Sequence, residues 1–163
     1  MKKIIIAIDS FKGCLTSAEA GKAAEKGIKS INPSCHTSVI PIADGGEGLL
    51  DVLIRATKGK YITLSAHGPL MKMAKTHYGL SGNGRTAIIE MAAISGLPLV
   101  PIEQRNPMLT TTFGTGELIK DALNKGCRNF IIGIGGSATN DAGLGMLQAL
   151  GFRFLDKSGH TLG

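Results

Sequence analysis

The sequence predicts an α/β protein built on a parallel β-sheet, followed by a region with a different strand pattern. Continuous apolar runs at 4–8 and 39–42 are each followed by a helical pattern, and alternating strands and helices are typical of parallel sheets with right-handed crossovers. From residue 62 onward, apolar residues alternate with polar ones, as in a half-buried strand. The 23 glycines among 163 residues fit a fold with many tight connections.

The composition is that of an ordered, globular chain. Hydrophobic residues make up 43% of the sequence and charged residues 18%, a balance that excludes intrinsic disorder. A chain of this length can bury about 70% of its unfolded surface in one domain. The net charge of +6 comes from scattered lysines and arginines. Because they form no basic stripe and aromatic residues are few, we expect no nucleic-acid partner, while the charge suits either an anionic substrate or simple solvation.

Targeting and metal signals are weak in this sequence. The apolar run after the two N-terminal lysines stops at Asp9, which is too early for a signal peptide. No stretch has transmembrane length. The three cysteines are far apart, which favours reduced thiols, and the four histidines lack metal-ligand spacing. We therefore expect a cytoplasmic protein with no membrane partner.

The predicted parallel sheet begins with a strand–helix–strand–helix series. The apolar run at 4–8 predicts a strand covered on both faces. Thr16 and Glu19 have the spacing of a capping box at a helix start. A second strand at 39–42 leads into another helix that ends at Gly59.

The pattern then changes, which predicts a second unit. Segments 75–80 and 85–89 flank the turn Gly-Asn-Gly at 82–84, a strong hairpin signal. We therefore divide the chain into residues 1–67 and residues 68–163, with the second unit rich in β-structure.

The most informative stretch is FIIGIGGSATNDAGLGMLQALG at 130–151. It predicts a strand, a glycine-rich loop and a helix that begins at 137–141 and stops at the last glycine. Free N–H groups and the helix dipole make such a unit an anion site, so we predict a phosphate-binding loop at 133–141. The threonine-rich helix start near Thr115 is a second anion-site candidate, with plain N-capping as the alternative.

The same stretch also satisfies a dinucleotide-binding pattern. Gly133, Gly135 and Ala138 have its spacing, and Asp156 lies where a ribose-binding carboxylate is expected. Asp141 argues against NAD(P), because a carboxylate about 5 Å from a phosphate costs on the order of 3 kcal/mol at an effective dielectric near 20. A bridging Mg²⁺ reverses that sign. The pattern thus favours a metal–nucleotide, with an NAD(P)-dependent oxidoreductase and simple helix capping as alternatives.

Polar residues follow three of the predicted strands, at 9–12, 44–47 and 135–141. Ligands collect at the carboxyl ends of parallel strands, so their convergence predicts a catalytic site. The alternatives are surface solvation for the first group and helix capping for the second. Glu90, inside an apolar run, is either a paired core charge or a site residue. The candidate residues are Asp9, Ser10, Lys12, Asp44, Gly45, Gly46, Glu47, Glu90, Thr115, Gly135, Gly136, Ser137, Asn140 and Asp141.

Five sequence blocks resemble the bacterial type of glycerate kinase, in order and at family spacing. They are IAIDSFKGCLTSAEA, IPIADGGEG, AIIEMAAISGL, RNPMLTTTFGTGELI and GIGGSATNDAGLGMLQALG. Ile8 stands where the family usually has proline, and Cys14 where serine is common. The resemblance covers essentially the whole chain. Since the family's chain is more than twice as long, the resemblance implies an N-terminal portion.

The resemblance implies a Rossmann-like parallel sheet with helices on both faces, a second mixed β/α domain, and a site in the cleft between them. It implies ATP-dependent phosphorylation of D-glycerate with Mg²⁺, and favours the 2-phospho product. A homo-oligomer and a non-catalytic nucleotide-binding module stay open.

The resemblance also suggests roles for the candidate residues. The expected catalytic residues are Asp9, Lys12 and Asp44, and the expected metal ligands are Asp141 and Asp44. The residues expected to bind substrate or phosphate are Ser10, Gly45, Gly46, Glu47, Glu90, Thr115, Gly135, Gly136, Ser137 and Asn140.

Overall fold

A computed structural model describes residues 3–162, and within them the chain forms two β-sheets and five α-helices. The strands are β1 (Lys3–Ile6), β2 (His36–Val39), β3 (Lys60–His67), β4 (Met73–Leu80), β5 (Thr86–Glu90) and β6 (Asn129–Gly133). The helices are α1 (Ser17–Ile31), α2 (Leu49–Thr57), α3 (Ala92–Ser95), α4 (Phe113–Asn124) and α5 (Leu144–Ala149). The predicted α/β class is confirmed. Residues 1, 2 and 163, at the outer ends of the two predicted units, lie outside the described residues.

The smaller sheet pairs β1 with β2 in parallel, and α1 forms the crossover between them. The capping box is confirmed, since Thr16 accepts a hydrogen bond from the Glu19 N–H and the Glu19 side chain accepts one from the Thr16 N–H. Full burial of the first strand is wrong, because Ile5 is 60% exposed. The helix packs on the face of Val39, and alternate side chains point the other way.

The second strand lies at 36–39 rather than at 39–42. Its four residues pair in register with β1, and one more bond follows, from the Ile40 N–H to the Ile6 carbonyl at 2.8 Å. Pro41 has no N–H with which to continue the ladder. Backbone pairing therefore outweighs the apolar pattern that suggested the later position.

The larger sheet has the order β3-β4-β5-β6. The predicted hairpin is confirmed, with Gly79 opposite Ile88 and Leu80 opposite Ala87 in the antiparallel pair β4–β5. Strand β6 then pairs with β5 in parallel, after a crossover that contains α3 and α4. Residues 60–67 belong to this sheet, although the predicted division assigned them to the first unit; the division itself stays a prediction.

The main core lies where α4 packs on the larger sheet, around Tyr78, Ile89 and Leu118. Close approach requires glycine in this helix: a Cβ on Gly114 would lie 1.9 Å from the His67 carbonyl oxygen. The close approach of α4 thus completes the core on this face of the larger sheet.

The glycine-rich stretch differs from its prediction in one respect. Strand β6 ends at Gly133 as expected, but the helix begins only at Leu144, not at 137–141. The intervening loop bonds to distant backbone instead, through the Ala138 N–H to the Ser95 carbonyl (2.9 Å) and the Asn140 N–H to the Pro107 carbonyl (3.1 Å). These contacts hold the segment in an extended path that no helix can follow.

Candidate functional site

The loop at 44–48, between β2 and α2, lies at the centre of the candidate site. Asp44 Oδ1 accepts a hydrogen bond from the Gly46 N–H at 3.0 Å, which closes a tight turn. Gly45 has φ +96°, a conformation that favours glycine. Its carbonyl accepts a hydrogen bond from the Gly135 N–H at 3.1 Å. The second and third groups of predicted site residues are therefore in direct contact.

This contact leaves no room for side chains. A Cβ on Gly135 would lie 2.7 Å from the Gly46 Cα, and one on Gly133 would lie 2.5 Å from the Gly45 carbonyl oxygen. Both distances are shorter than any real carbon contact. The glycines therefore serve to bring two backbones together.

A cleft of about 570 Å³ opens on the other side of loop 44–48. The segment after β1 and one face of α2 form its walls, with Pro41 and Tyr61 beside them. Its lining residues are Ser10, Phe11, Lys12, Gly13, Cys14, Leu15, Thr16, Ser17, Ala18, Glu19, Pro41, Glu47, Gly48, Asp51, Val52, Ile54, Arg55 and Tyr61. Of the predicted site residues, Ser10, Lys12 and Glu47 line the cleft, whereas Asp9, Asp44, Gly45, Gly46 and residues 135–141 do not.

A buried serine links the ends of the two strands of the smaller sheet. Ser17 Oγ donates to the Ile8 carbonyl at 2.6 Å and accepts from the Ile42 N–H at 3.1 Å. Sequence reasoning missed this residue, although its place directly after the capping residue put it near the strand end.

Asp9 is half-buried, and its Oδ1 accepts from the Ser10 N–H at 2.7 Å.

The cleft also contains a polar pair that the sequence did not indicate. The Tyr61 hydroxyl donates a hydrogen bond to Asp51. Burial raises the pKa of Tyr61 to about 12, and this bond adds to the effect. The hydroxyl therefore stays protonated near neutral pH and acts as a donor.

Glu90 is 8% exposed and lies at the end of β5. Its Oε2 accepts hydrogen bonds from the N–H groups of Gly48 and Leu50, each at 3.2 Å. Burial raises the pKa of Glu90; these two bonds oppose the rise, and nearby Asp51 and Glu47 add to it. Glu90 thus contacts the start of α2 rather than the surface of the cleft.

Asp141 is held within the loop that follows β6. Its carboxylate accepts bonds from the N–H and hydroxyl of Thr112, both at 2.8 Å, and from the N–H groups of Gly143 at 3.0 Å and Gly145 at 3.2 Å. Burial raises the pKa of Asp141, but the combined hydrogen bonds bring it below its ordinary value. The carboxylate therefore joins its own loop to the start of α4.

The metal role of Asp141 stays a prediction: its Oδ1 accepts one hydrogen bond, from the Gly143 N–H, while the bonds from Thr112 and Gly145 go to Oδ2. Within residues 3–162, no group of three or more His, Cys, Asp or Glu side chains is arranged to hold a metal ion.

Four N–H groups of the predicted phosphate loop at 133–141 already make hydrogen bonds. Those of Gly135, Ala138 and Asn140 bond to backbone carbonyls, and that of Thr139 bonds to the Ser137 hydroxyl at 3.1 Å. In the described part of the chain, the N–H groups of Gly136 and Ser137 make no hydrogen bond. Fewer N–H groups of this loop are thus available to bind an anion than the sequence predicted.

Thr115 lies in the first turn of α4 with its side chain in the core, and the N-cap position belongs to Thr112. Thr115 is fully buried, its hydroxyl is 2.9 Å from that of Ser95, and α4 begins two residues earlier. We therefore assign it a packing role, because no ligand can reach it.

The geometry does not support the dinucleotide alternative. Asp156 accepts hydrogen bonds from the N–H groups of Ser158 at 2.8 Å and His160 at 2.9 Å, so its carboxylate closes its own turn. The glycine-rich loop also lacks a helix directly after it, since α5 starts at Leu144. A dinucleotide site needs both features.

None of the helices within residues 3–162 is long and apolar enough to cross a membrane.

Comparison with known proteins gives one consistent result. The sequence profile of the Glycerate kinase family matches residues 4–163. The chain is 55% identical over 161 residues to a glycerate kinase of Bacillus subtilis, covering 99% of this chain and 42% of the relative. It is 51% identical over 161 residues to glycerate 2-kinase of Escherichia coli, with the same coverage of both chains.

A solved structure assigned as glycerate kinase 2 from Salmonella typhimurium LT2 superimposes with a TM-score of 0.81 at 49% identity. The match covers 99% of this chain and 43% of that one. The chain thus spans less than half the length of the relatives it matches.

Proposed function

Because the chain belongs to the glycerate kinase family, we propose that the protein transfers the terminal phosphoryl group of ATP to D-glycerate, with the 2-phospho isomer as product. The observation that carries this proposal is the contact between loop 44–48 and Gly135 beside the cleft. Phosphoryl transfer depends mainly on alignment and charge stabilisation. Two backbone loops in direct contact, next to a cleft that contains the Lys12 side chain, suit that requirement.

The loop after β6 is proposed to bind phosphate oxygens. Gly136 has φ +76°, and successive N–H groups around a left-handed residue form an anion-binding nest. The N–H groups of Gly136 and Ser137 would serve here, together with the exposed amide of Asn140.

The cleft is proposed to bind D-glycerate. Lys12 and Ser10 line it, and Lys12 forms no ion pair within the described residues. Its ammonium can neutralise the substrate carboxylate or the transferring phosphoryl group. Asp9 or Asp44 would orient the attacking hydroxyl. Glu47, with Gly45 and Gly46, would complete the wall between substrate and nucleotide.

Asp44 fits a role toward Mg²⁺ better than Asp141 does. One of its oxygens accepts from Gly46, while the other makes no hydrogen bond within residues 3–162. A magnesium ion bound with ATP needs only one or two protein carboxylates besides the phosphates. When bound, the ion would neutralise phosphate charge.

The test is coupled ADP release with D-glycerate, using the full gene product. We expect release that depends on glycerate, and a loss of about a hundredfold or more in Lys12→Ala. The matched control is Lys26→Ala, an exposed lysine of α1 that does not line the cleft, which should keep full activity. Absence of glycerate-dependent release would refute the kinase proposal, and full activity of Lys12→Ala would refute the role of that residue.

A further inference from the structure

Among residues 3–162, Glu90 is the one buried side chain that carries a formal charge. It lies directly opposite Gly133 in the parallel pair β5–β6, and the next N–H, of Met91, bonds to the Gly133 carbonyl at 2.9 Å. Its backbone is therefore fixed at the point where β6 ends and the glycine-rich loop begins.

The side chain reaches from this point to the start of another helix. The N-cap residue of α2 is Gly48, which has no side chain to accept hydrogen bonds from the first turn. A helix start leaves such N–H groups without partners, and an acidic group near it is stabilising. Glu90 supplies the missing acceptor from a distant strand, to Gly48 and Leu50.

The two ends of this connection belong to the two loops of the proposed site. Gly48 closes loop 44–48, which contacts Gly135 through Gly45 and Gly46. The backbone of Glu90 is paired to the strand that leads into Gly135. The Glu90 carboxylate therefore connects the end of loop 44–48 to the strand that leads into the glycine-rich loop.

We propose that Glu90 is a positioning residue, whose carboxylate holds loop 44–48 against the glycine-rich loop that follows β6, so that the two loops act on one ligand. The contribution of Glu90 to catalysis rests on the proposed kinase function, whereas its hydrogen bonds to loop 44–48 and α2 do not depend on that function. Both observed bonds go from backbone N–H groups to the same oxygen, as expected of a structural acceptor.

Two substitutions separate positioning from direct contact. Glu90→Gln keeps a side-chain oxygen that can accept from Gly48 and Leu50, while Glu90→Ala removes it. In the full gene product, we expect Glu90→Gln to stay within about threefold of wild-type kcat, and Glu90→Ala to lose on the order of a hundredfold through misplacement. Thr76→Ala is the control, because it deletes a buried hydroxyl that bonds to the Ala93 carbonyl, away from loop 44–48.

Amide hydrogen exchange gives a readout independent of activity. Exchange at Gly48 and Leu50 should accelerate about tenfold or more in Glu90→Ala, and stay near wild type in Glu90→Gln and Thr76→Ala. Unchanged exchange in Glu90→Ala would overturn the positioning role. Equal loss of kcat in the Gln and Ala variants would also overturn it, since a direct role for the charge would then be required. A wild-type protein without glycerate-dependent ADP release refutes the kinase function alone, and the exchange data still decide the hold of Glu90 on the loop.

Discussion

Loop 44–48 and the loop at 134–143 are both held in place by hydrogen bonds to a carboxylate, but the two carboxylates differ in burial and in number of donors. Each leads from a β-strand into a helix, and each is anchored by one carboxylate. Glu90 anchors the first with bonds from two N–H groups, and burial raises its pKa. Asp141 anchors the second with more donors, including a hydroxyl, and its pKa lies below the ordinary value. At Asp141 the hydrogen bonds outweigh the effect of burial on the pKa, whereas at Glu90 two bonds do not offset burial and the neighbouring carboxylates of Asp51 and Glu47.

The largest effect is expected on stability, when the carboxylate of Asp141 is removed. Asp141→Ala should lower the free energy of unfolding by about 2–4 kcal/mol, because the N–H groups of Thr112, Gly143 and Gly145 lose their acceptor. Chemical denaturation measures this loss. Asp156→Ala is the comparison, since that carboxylate bonds within its own exposed turn, and its removal should lower the free energy of unfolding much less than removal of Asp141. Equal losses in the two variants would contradict the anchoring role of Asp141.

The next effect separates the two loops. Gly135→Ala places a Cβ 2.7 Å from the Gly46 Cα, so one backbone must move. We expect glycerate-dependent ADP release to fall by about tenfold to a hundredfold. The control is Gly27→Ala, where a Cβ meets nothing within 4 Å; in helix α1 this change should add about 0.5–1 kcal/mol of stability. Wild-type activity in Gly135→Ala would show that contact between the loops is not needed.

The smallest expected effect is a difference between Glu90 and Asp141 in how stability depends on pH. Because the pKa of Glu90 is raised in the folded state, the stability it contributes is present below its unfolded pKa and is lost as pH rises through the folded pKa. Glu90→Gln should therefore be more stable than wild type near neutral pH, with the gap closing in acid.

Asp141 should show the opposite sign, since its folded pKa is lowered: its contribution is present above the unfolded pKa and is lost as pH falls through the folded pKa. Asp141→Asn should thus be less stable than wild type near neutral pH and approach it in acid. Denaturation curves measured from pH 3 to pH 8 test both signs. Parallel pH profiles for the two variants would contradict the comparison.

Local signals in the sequence predicted local structure well. The capping box at Thr16 and Glu19 and the hairpin around residues 82–84 depend on neighbours a few positions away, and both are confirmed. The strand predicted at the start of the stretch 130–151 is also confirmed, at Asn129–Gly133.

Predictions failed where distant contacts decide the outcome. The helix expected at 137–141 is replaced by a loop because its N–H groups bond to Ser95 and Pro107. Thr115 reads as a helix cap until the buried partner, Ser95, is known. The sequence identified Glu90 as unusual but left its role open, because its two donors lie 42 and 40 residues earlier in the chain.

The helix α2 begins at a glycine and takes its cap from another strand, and this has a consequence for how the protein folds. The capping residue of α1, Thr16, bonds to Glu19, only three residues away. Helix α1 can therefore close its first turn while the rest of the chain is still disordered. The first turn of α2 gains its acceptor only when Glu90 of β5 is in place, so we expect α2 to form later than α1. Loop 44–48, which leads into α2, should then become ordered after the larger sheet.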